Sequence, residues 1–211
     1  MSAQLALPFE WPADPRDDEF LVTESNQRAV QQLEHCNTWP VAAVVITGPR
    51  KSGRSLLARI FAAKTGGQLI DDAEQQKEAD IFHAWNRAQE TRLPVVIVAY
   101  APPPDWVIRL PDLRSRLAAS PTVRIGAPDE ALMRAVLERQ FFRRGLDARP
   151  DLIEWLAKRI ERTHVALLRT VDVLDEAVLE SRKRLTIPLA RTILTEAGLI
   201  DGLQHELAGL L

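Results

Sequence analysis

Residues 41–55 read VAAVVITGPRKSGRS, and the fold turns on how that stretch is read. The run 41–47 is continuously apolar and rich in β-branched residues, the pattern of a strand covered on both faces of a parallel sheet. It leads directly into GPRKSGRS at 48–55. Residues 56–64 then have helical spacing, closed by Gly66 and Gly67. Strand, glycine-bearing loop and helix together form the context a phosphate-binding loop requires. The glycines let backbone N–H groups wrap phosphate oxygens, and the helix N-terminus adds a favourable dipole. The motif form is Gly-x-x-x-x-Gly-Lys-Ser/Thr. Here Gly48, Lys51, Gly53 and Ser55 lie in the loop, and Arg54 stands at the lysine position. Arginine keeps the charge on a bulkier, forked side chain. Ser55 would offer its hydroxyl to magnesium. The same residues also allow a plain strand-to-helix turn with no ligand.

Working outward, a helix is expected over 25–36 with Ser25 as N-cap, and strands over 68–71, 94–99 and 122–125. Helical spacing recurs over 74–90, with Ile81, Phe82, Trp85 and Ala88 as its apolar stripe, over 113–118, and over 129–144 after Pro128. Strands alternating with helices predict an α/β domain with a parallel sheet. After Arg149-Pro150 the pattern changes to three helical segments, 151–162, 164–182 and 188–197, with no strand between them. The reading is a tail at 1–19, an α/β domain at 20–146 and a small all-helical domain at 147–211.

Three further segments carry chemistry. Leu69-Ile70-Asp71-Asp72 ends a strand in acids, where a carboxylate can hold magnesium next to a phosphate loop; the bland reading is an Asp-Asp turn. Only 15 residues separate Ser55 from Asp71, room for a helix but not for an extra strand and helix. LPDLRSRL at 110–117 puts Arg114 and Arg116 on a short helix after the third strand. A guanidinium there can reach a nucleotide held by a neighbouring molecule, or the pair can be surface arginines. Finally, QLALPF at 4–9 displays two leucines and a phenylalanine in a segment with three prolines and five acids before residue 20. Such a segment docks as a peptide into an apolar pocket, or packs back on its own domain.

Composition excludes several classes. One cysteine, Cys36, rules out an internal disulfide and a multi-cysteine zinc site. No apolar run approaches the roughly 18 residues of a membrane span, and the N-terminus lacks a basic-then-apolar secretory pattern, so a cytoplasmic protein without membrane contact is expected. Residues 1–108 carry 10 basic and 14 acidic side chains, and residues 109–191 carry 17 and 12. That balance is not the concentrated basic face of a DNA-binding protein. The four histidines have no metal-ligand spacing, and Trp85 and Trp155 read as core.

In this order, the QLALPF tail, FLVTESNQRAV at 20–30, GPRKSGRS, LIDD, an Ala-Pro-Pro loop, LPDLRSRL and LTIPLARTIL at 185–194 resemble the Hda family of DnaA-related AAA+ regulators. The resemblance implies an AAA+ P-loop sheet with a C-terminal helical lid. It implies a regulator that binds the sliding clamp, the β subunit of DNA polymerase III, and promotes hydrolysis of DnaA-bound ATP, so that origins do not refire. It assigns clamp binding to Gln4, Leu5, Leu7, Pro8 and Phe9, and the arginine finger to Arg116, with Arg114 as second candidate. It assigns ADP or ATP to Gly48, Lys51, Gly53, Arg54 and Ser55, with Asp71 and Asp72 as the acidic pair and Mg on Ser55 and Asp71. Residues 20–26 resemble the segment flanking the adenine. AAA+ modules pack side by side, which leaves a homo-oligomer open. The departures are a shortened segment between the loop and LIDD, Val98-Ala99-Tyr100-Ala101 where DnaA has a polar pair, and Val173 where DnaA has a lid arginine. Arg169, one turn earlier, is the candidate substitute. These predict weak or absent ATPase activity. No helix-turn-helix counterpart is found, so direct sequence-specific DNA binding is not expected. The alternatives are an independent P-loop ATPase and a nucleotide-free interaction module with a vestigial loop.

Overall fold

The computed structural model describes residues 19–200. Its sheet is built from β1 (Ala43–Thr47), β2 (Gln68–Ile70), β3 (Val95–Val98) and β4 (Thr122–Arg124). The order is β2-β3-β1-β4, and every pair is parallel. The two central strands, β1 and β3, are buried at every position, as their unbroken apolar runs require. Successive side chains alternate between faces. Val44, Ile46, Val96 and Val98 meet α1 (Glu24–Glu34) and α2 (Arg54–Thr65) through Val30, Leu33, Leu57 and Phe61. Ala43, Val45, Val95 and Ile97 meet α3 (Glu78–Thr91) and α4 (Pro111–Ala119) through Ile81, Ala84, Leu113 and Leu117. The result is a three-layer α/β unit, as the alternation of elements predicts.

Local differences have local causes. The first helix starts at Glu24 because Thr23, not Ser25, takes the N-cap, its backbone N–H donating to Asn26 Oδ1 at 2.9 Å. The segment expected as one helix from residue 74 is a 3-10 turn at Ala73–Gln75 followed by α3, the two separated by the extended Gln76 and Lys77. Pro111 opens α4 at its first turn, where a missing N–H costs nothing.

A second compact unit begins at Ala127. It contains α5 (Glu130–Arg143), α6 (Pro150–Arg159), α7 (His164–Ser181) and α8 (Ile187–Glu196). The boundary therefore falls at 126/127, not near 147. The difference is α5: it follows β4 and looks like the close of the α/β alternation, yet Met133, Leu137 and Phe141 are buried with Leu156, Leu167, Val171 and Leu194 of the other three helices. Asp129 caps α5, accepting the Leu132 N–H at 2.7 Å, and Thr163 caps α7 through the Ala166 N–H at 3.1 Å. Among the described residues no helix is long and apolar enough to cross a membrane.

Candidate nucleotide-binding site

The loop after β1 turns where only glycine fits. Gly48 has φ +155°, and a Cβ there would lie 2.7 Å from the Ile125 carbonyl oxygen. Gly53 caps α2 with φ +86°, and a Cβ there would meet the Phe20 ring at 3.1 Å. Phe20 thus sits against the loop, in the segment that resembles the adenine flank. Lys51, exposed, holds φ +64° without being glycine, a strained conformation of the kind that clusters at binding sites. The first-turn N–H groups of α2 lack intrahelical partners and open toward the loop. Thr47 Oγ1 and Ser52 Oγ, both buried, have no hydrogen-bond partner among the described residues. Sequence reading passed over this pair, and only burial reveals it. Unpaired buried hydroxyls are costly, so a polar group held in this loop would relieve them.

Gly48→Ala is accordingly expected to destabilise the protein by about 2–3 kcal/mol, through backbone strain and a clash with the Ile125 carbonyl just past β4. Urea unfolding followed by circular dichroism checks it. An unchanged midpoint would mean that the Ile125 carbonyl moves aside.

Ser55 and Asp71 come together from different elements. Ser55 Oγ donates to Asp71 Oδ1 at 3.0 Å, and the Asp72 N–H donates to the same oxygen at 3.0 Å. Strand β3 lies between β1 and β2, so the carboxylate reaches the loop across one intervening strand. A serine hydroxyl beside a half-exposed carboxylate is an all-oxygen pair of the kind magnesium accepts, and these two residues would hold it. Asp72 itself is exposed, with φ +46°.

Arg54 does not extend over the loop. Its Nη1 donates to the Ala99 carbonyl at 2.7 Å, and its guanidinium carbon lies 5.9 Å from the centre of the exposed Tyr100 ring. The Glu74 carboxylate in turn accepts the Tyr100 backbone N–H. Tyr100, in the 98–101 segment quoted above, belongs to this site together with Glu74, which was not singled out from sequence. The signal was the third acid of Asp71-Asp72-x-Glu74, which returns to the strand end two positions after the pair.

The arginines at 114 and 116 are on α4. Arg114 is exposed, while Arg116 is half-buried against α3. The start of α4 is tied to α3 by Glu78, whose carboxylate accepts the Arg109 N–H at 2.9 Å and the Leu110 N–H at 2.6 Å. These two bonds hold its carboxyl below the ordinary glutamate value of 4.5, with smaller help from the charges of Arg109 and Arg114. A carboxyl whose folded value is lowered stabilises the fold above its unfolded value and loses that contribution as pH falls through the folded one. Glu78→Gln should therefore lower Tm at neutral pH, and the gap from wild type should close as pH drops below 4.5. A pH-independent gap in thermal melts would assign the effect to shape rather than charge.

Arg169 is exposed on α7, and Val173 packs into the core of the helical unit. Gln4, Leu5, Leu7, Pro8 and Phe9 lie outside the described residues.

Comparison with known proteins bears on both units. Residues 129–194 match the family model of the Hda lid domain. The helical unit is thus similar to the lid of the Hda family. The fold of the chain is that of domain III of the replication initiation protein DnaA from Thermotoga maritima, with TM-score 0.68 and 14% identity, over 87% of this chain and 95% of that one. DnaA from Aquifex aeolicus, solved with AMPPCP, aligns at TM-score 0.56 and 15% identity, over 75% and 63% of the two chains. The Thermotoga maritima RuvB Holliday junction branch migration motor aligns at 0.56 and 16%, over 81% and 67%. The Hda-like lid begins at α5, which agrees with a boundary at 126/127.

Proposed function

We propose that this Hda-like protein regulates replication initiation: it binds the sliding clamp through residues 4–9 and promotes hydrolysis of DnaA-bound ATP through Arg116, converting the initiator to its ADP form. The observation that carries this reading is the Hda lid match, joined in one chain to a DnaA-like AAA+ sheet. The exposed face of α4 supports it, since a guanidinium offered there can stabilise charge on a transferring phosphate held by another molecule.

The loop at Gly48, Lys51, Gly53 and Ser55 would hold ADP or ATP, with Mg on Ser55 and Asp71. When bound, the metal would neutralise phosphate charge. Two features favour a conformational role for nucleotide over hydrolysis in this chain. Arg54, at the lysine position, is committed to the Ala99 carbonyl. The end of β3 presents that carbonyl and Tyr100 in place of a polar side-chain pair. Both also weigh against an independent ATPase.

The test is ATP-loaded DnaA with clamp assembled on DNA, with and without this protein, followed by the ratio of ADP to ATP on DnaA. Acceleration that requires the clamp is the expected result. A folded, clamp-bound protein that leaves DnaA hydrolysis unchanged would overturn the reading.

A further inference from the structure

Arg116 is held in an unusual way for an exposed helix. Its guanidinium carbon lies 4.3 Å from the centre of the Phe82 ring and 4.8 Å from that of Trp85. Both distances are well inside the range of cation–π attraction, and a planar guanidinium stacks on such faces. Phe82 and Trp85 are three apart on α3, so they share one ridge, while Ile81, Ala84 and Ala88 turn to the sheet. On α4, Leu113 and Leu117 are buried, which fixes the rotation of the helix and directs Arg116 to that ridge. The backbone is fixed as well. The Trp85 indole N–H donates to Ser120 Oγ at 3.1 Å, and the Ser120 hydroxyl donates to the Arg116 carbonyl at 2.9 Å. Among the described residues no carboxylate forms an ion pair with Arg116.

We infer that Phe82 and Trp85 are positioning residues: a two-ring platform that orients Arg116 toward a neighbouring molecule's nucleotide without neutralising it. This inference rests on the reading of Arg116 given above. A carboxylate partner would hold the side chain equally still, but it would occupy the N–H fork and have to be displaced before phosphate could bind. Aromatic faces take the flat of the guanidinium and leave the edge donors for an anion. The side chain is thereby ordered before the partner arrives, which lowers the entropy cost of using it.

The test compares Phe82→Leu, Trp85→Leu and the aromatic replacements Phe82→Tyr and Trp85→Phe in the DnaA hydrolysis assay, titrating each protein to saturation. Each leucine variant should lower the maximal stimulated rate by about 2- to 5-fold, with its half-saturating concentration unchanged. Phe82→Tyr should stay near wild type, and Trp85→Phe, which keeps a ring but loses the N–H to Ser120, should retain more of the rate than Trp85→Leu. In an Arg116→Ala background the leucine changes should cost nothing further. Leucine variants at full rate, or a loss that persists without Arg116, would overturn the platform.

A second readout works without DnaA: the Arg116 Nε–H proton in a two-dimensional NMR spectrum. Ring current should shift it in wild type, and Phe82→Leu should remove most of that shift. If wild-type protein stimulates nothing, the reading of Arg116 fails and the spectrum judges the stacking alone. An unshifted Nε–H in wild type overturns the platform in either case.

Discussion

Arg116→Ala should reduce clamp-dependent stimulation of DnaA hydrolysis by on the order of 1,000-fold, the low end of what an arginine supplied in trans contributes to phosphoryl transfer. That corresponds to about 4 kcal/mol of transition-state stabilisation lost. The effect is large because the guanidinium acts where charge develops, in a site that excludes water. Folding should be little affected, since Leu113 and Leu117, not Arg116, seat α4 on the sheet. Clamp binding, assigned to a different segment, should be unchanged. Arg116→Lys should restore little, because an ammonium neither stacks flat on two rings nor offers a planar fork. Arg114→Ala is the internal control. Arg114 is exposed, and its replacement should change the rate by no more than about 3-fold. Equal losses at both positions would mean that α4 contributes a charged surface and not a single positioned group. The decisive measurement is single-turnover hydrolysis of ATP on DnaA at saturating regulator.

The second large effect is expected at residues 4–9. Leu7→Ala/Phe9→Ala should weaken binding to the sliding clamp by on the order of 100-fold or more. Two apolar anchors that fill a pocket contribute about 1.5–3 kcal/mol each when fully buried, and 1.4 kcal/mol is a factor of ten in Kd. Gln4→Ala removes polar contacts only, and about 10-fold is the corresponding expectation. Surface plasmon resonance on immobilised clamp reads both. Wild type that binds at micromolar or tighter, with graded loss across the two variants, ties the chain to the replication fork. Equal binding by all three would place the contact on the folded units and remove QLALPF from the mechanism.

Much of the α/β unit was legible from residue pattern. The runs at 41–47 and 94–99 are apolar throughout because both faces of β1 and β3 are covered. Gly48 and Gly53 stand where φ is positive, so the loop's shape was written in two residues. The boundary between units was less legible. Nothing in α5 itself says which layer Met133, Leu137 and Phe141 will join, because that depends on partners in the three helices that follow it in sequence. The site divides the same way. The proximity of Ser55 and Asp71 followed from strand ends meeting at one edge of a parallel sheet. The capture of Arg54 by Ala99 and the stacking of Arg116 on Phe82 and Trp85 did not, since side-chain direction is settled by packing. Trp85 was expected as core. It is half-buried, and its ring carries the Arg116 guanidinium 4.8 Å from its centre.

Both margins of the sheet are strands of only three residues, β2 and β4. A strand that short exposes one or two unpaired backbone groups, too few to template another chain's strand. A protein proposed to work by touching other proteins is thereby shielded from indiscriminate backbone pairing with them. Recognition is left to surfaces whose meaning is spelled in side chains, such as the face of α4, and these can tell one partner from another.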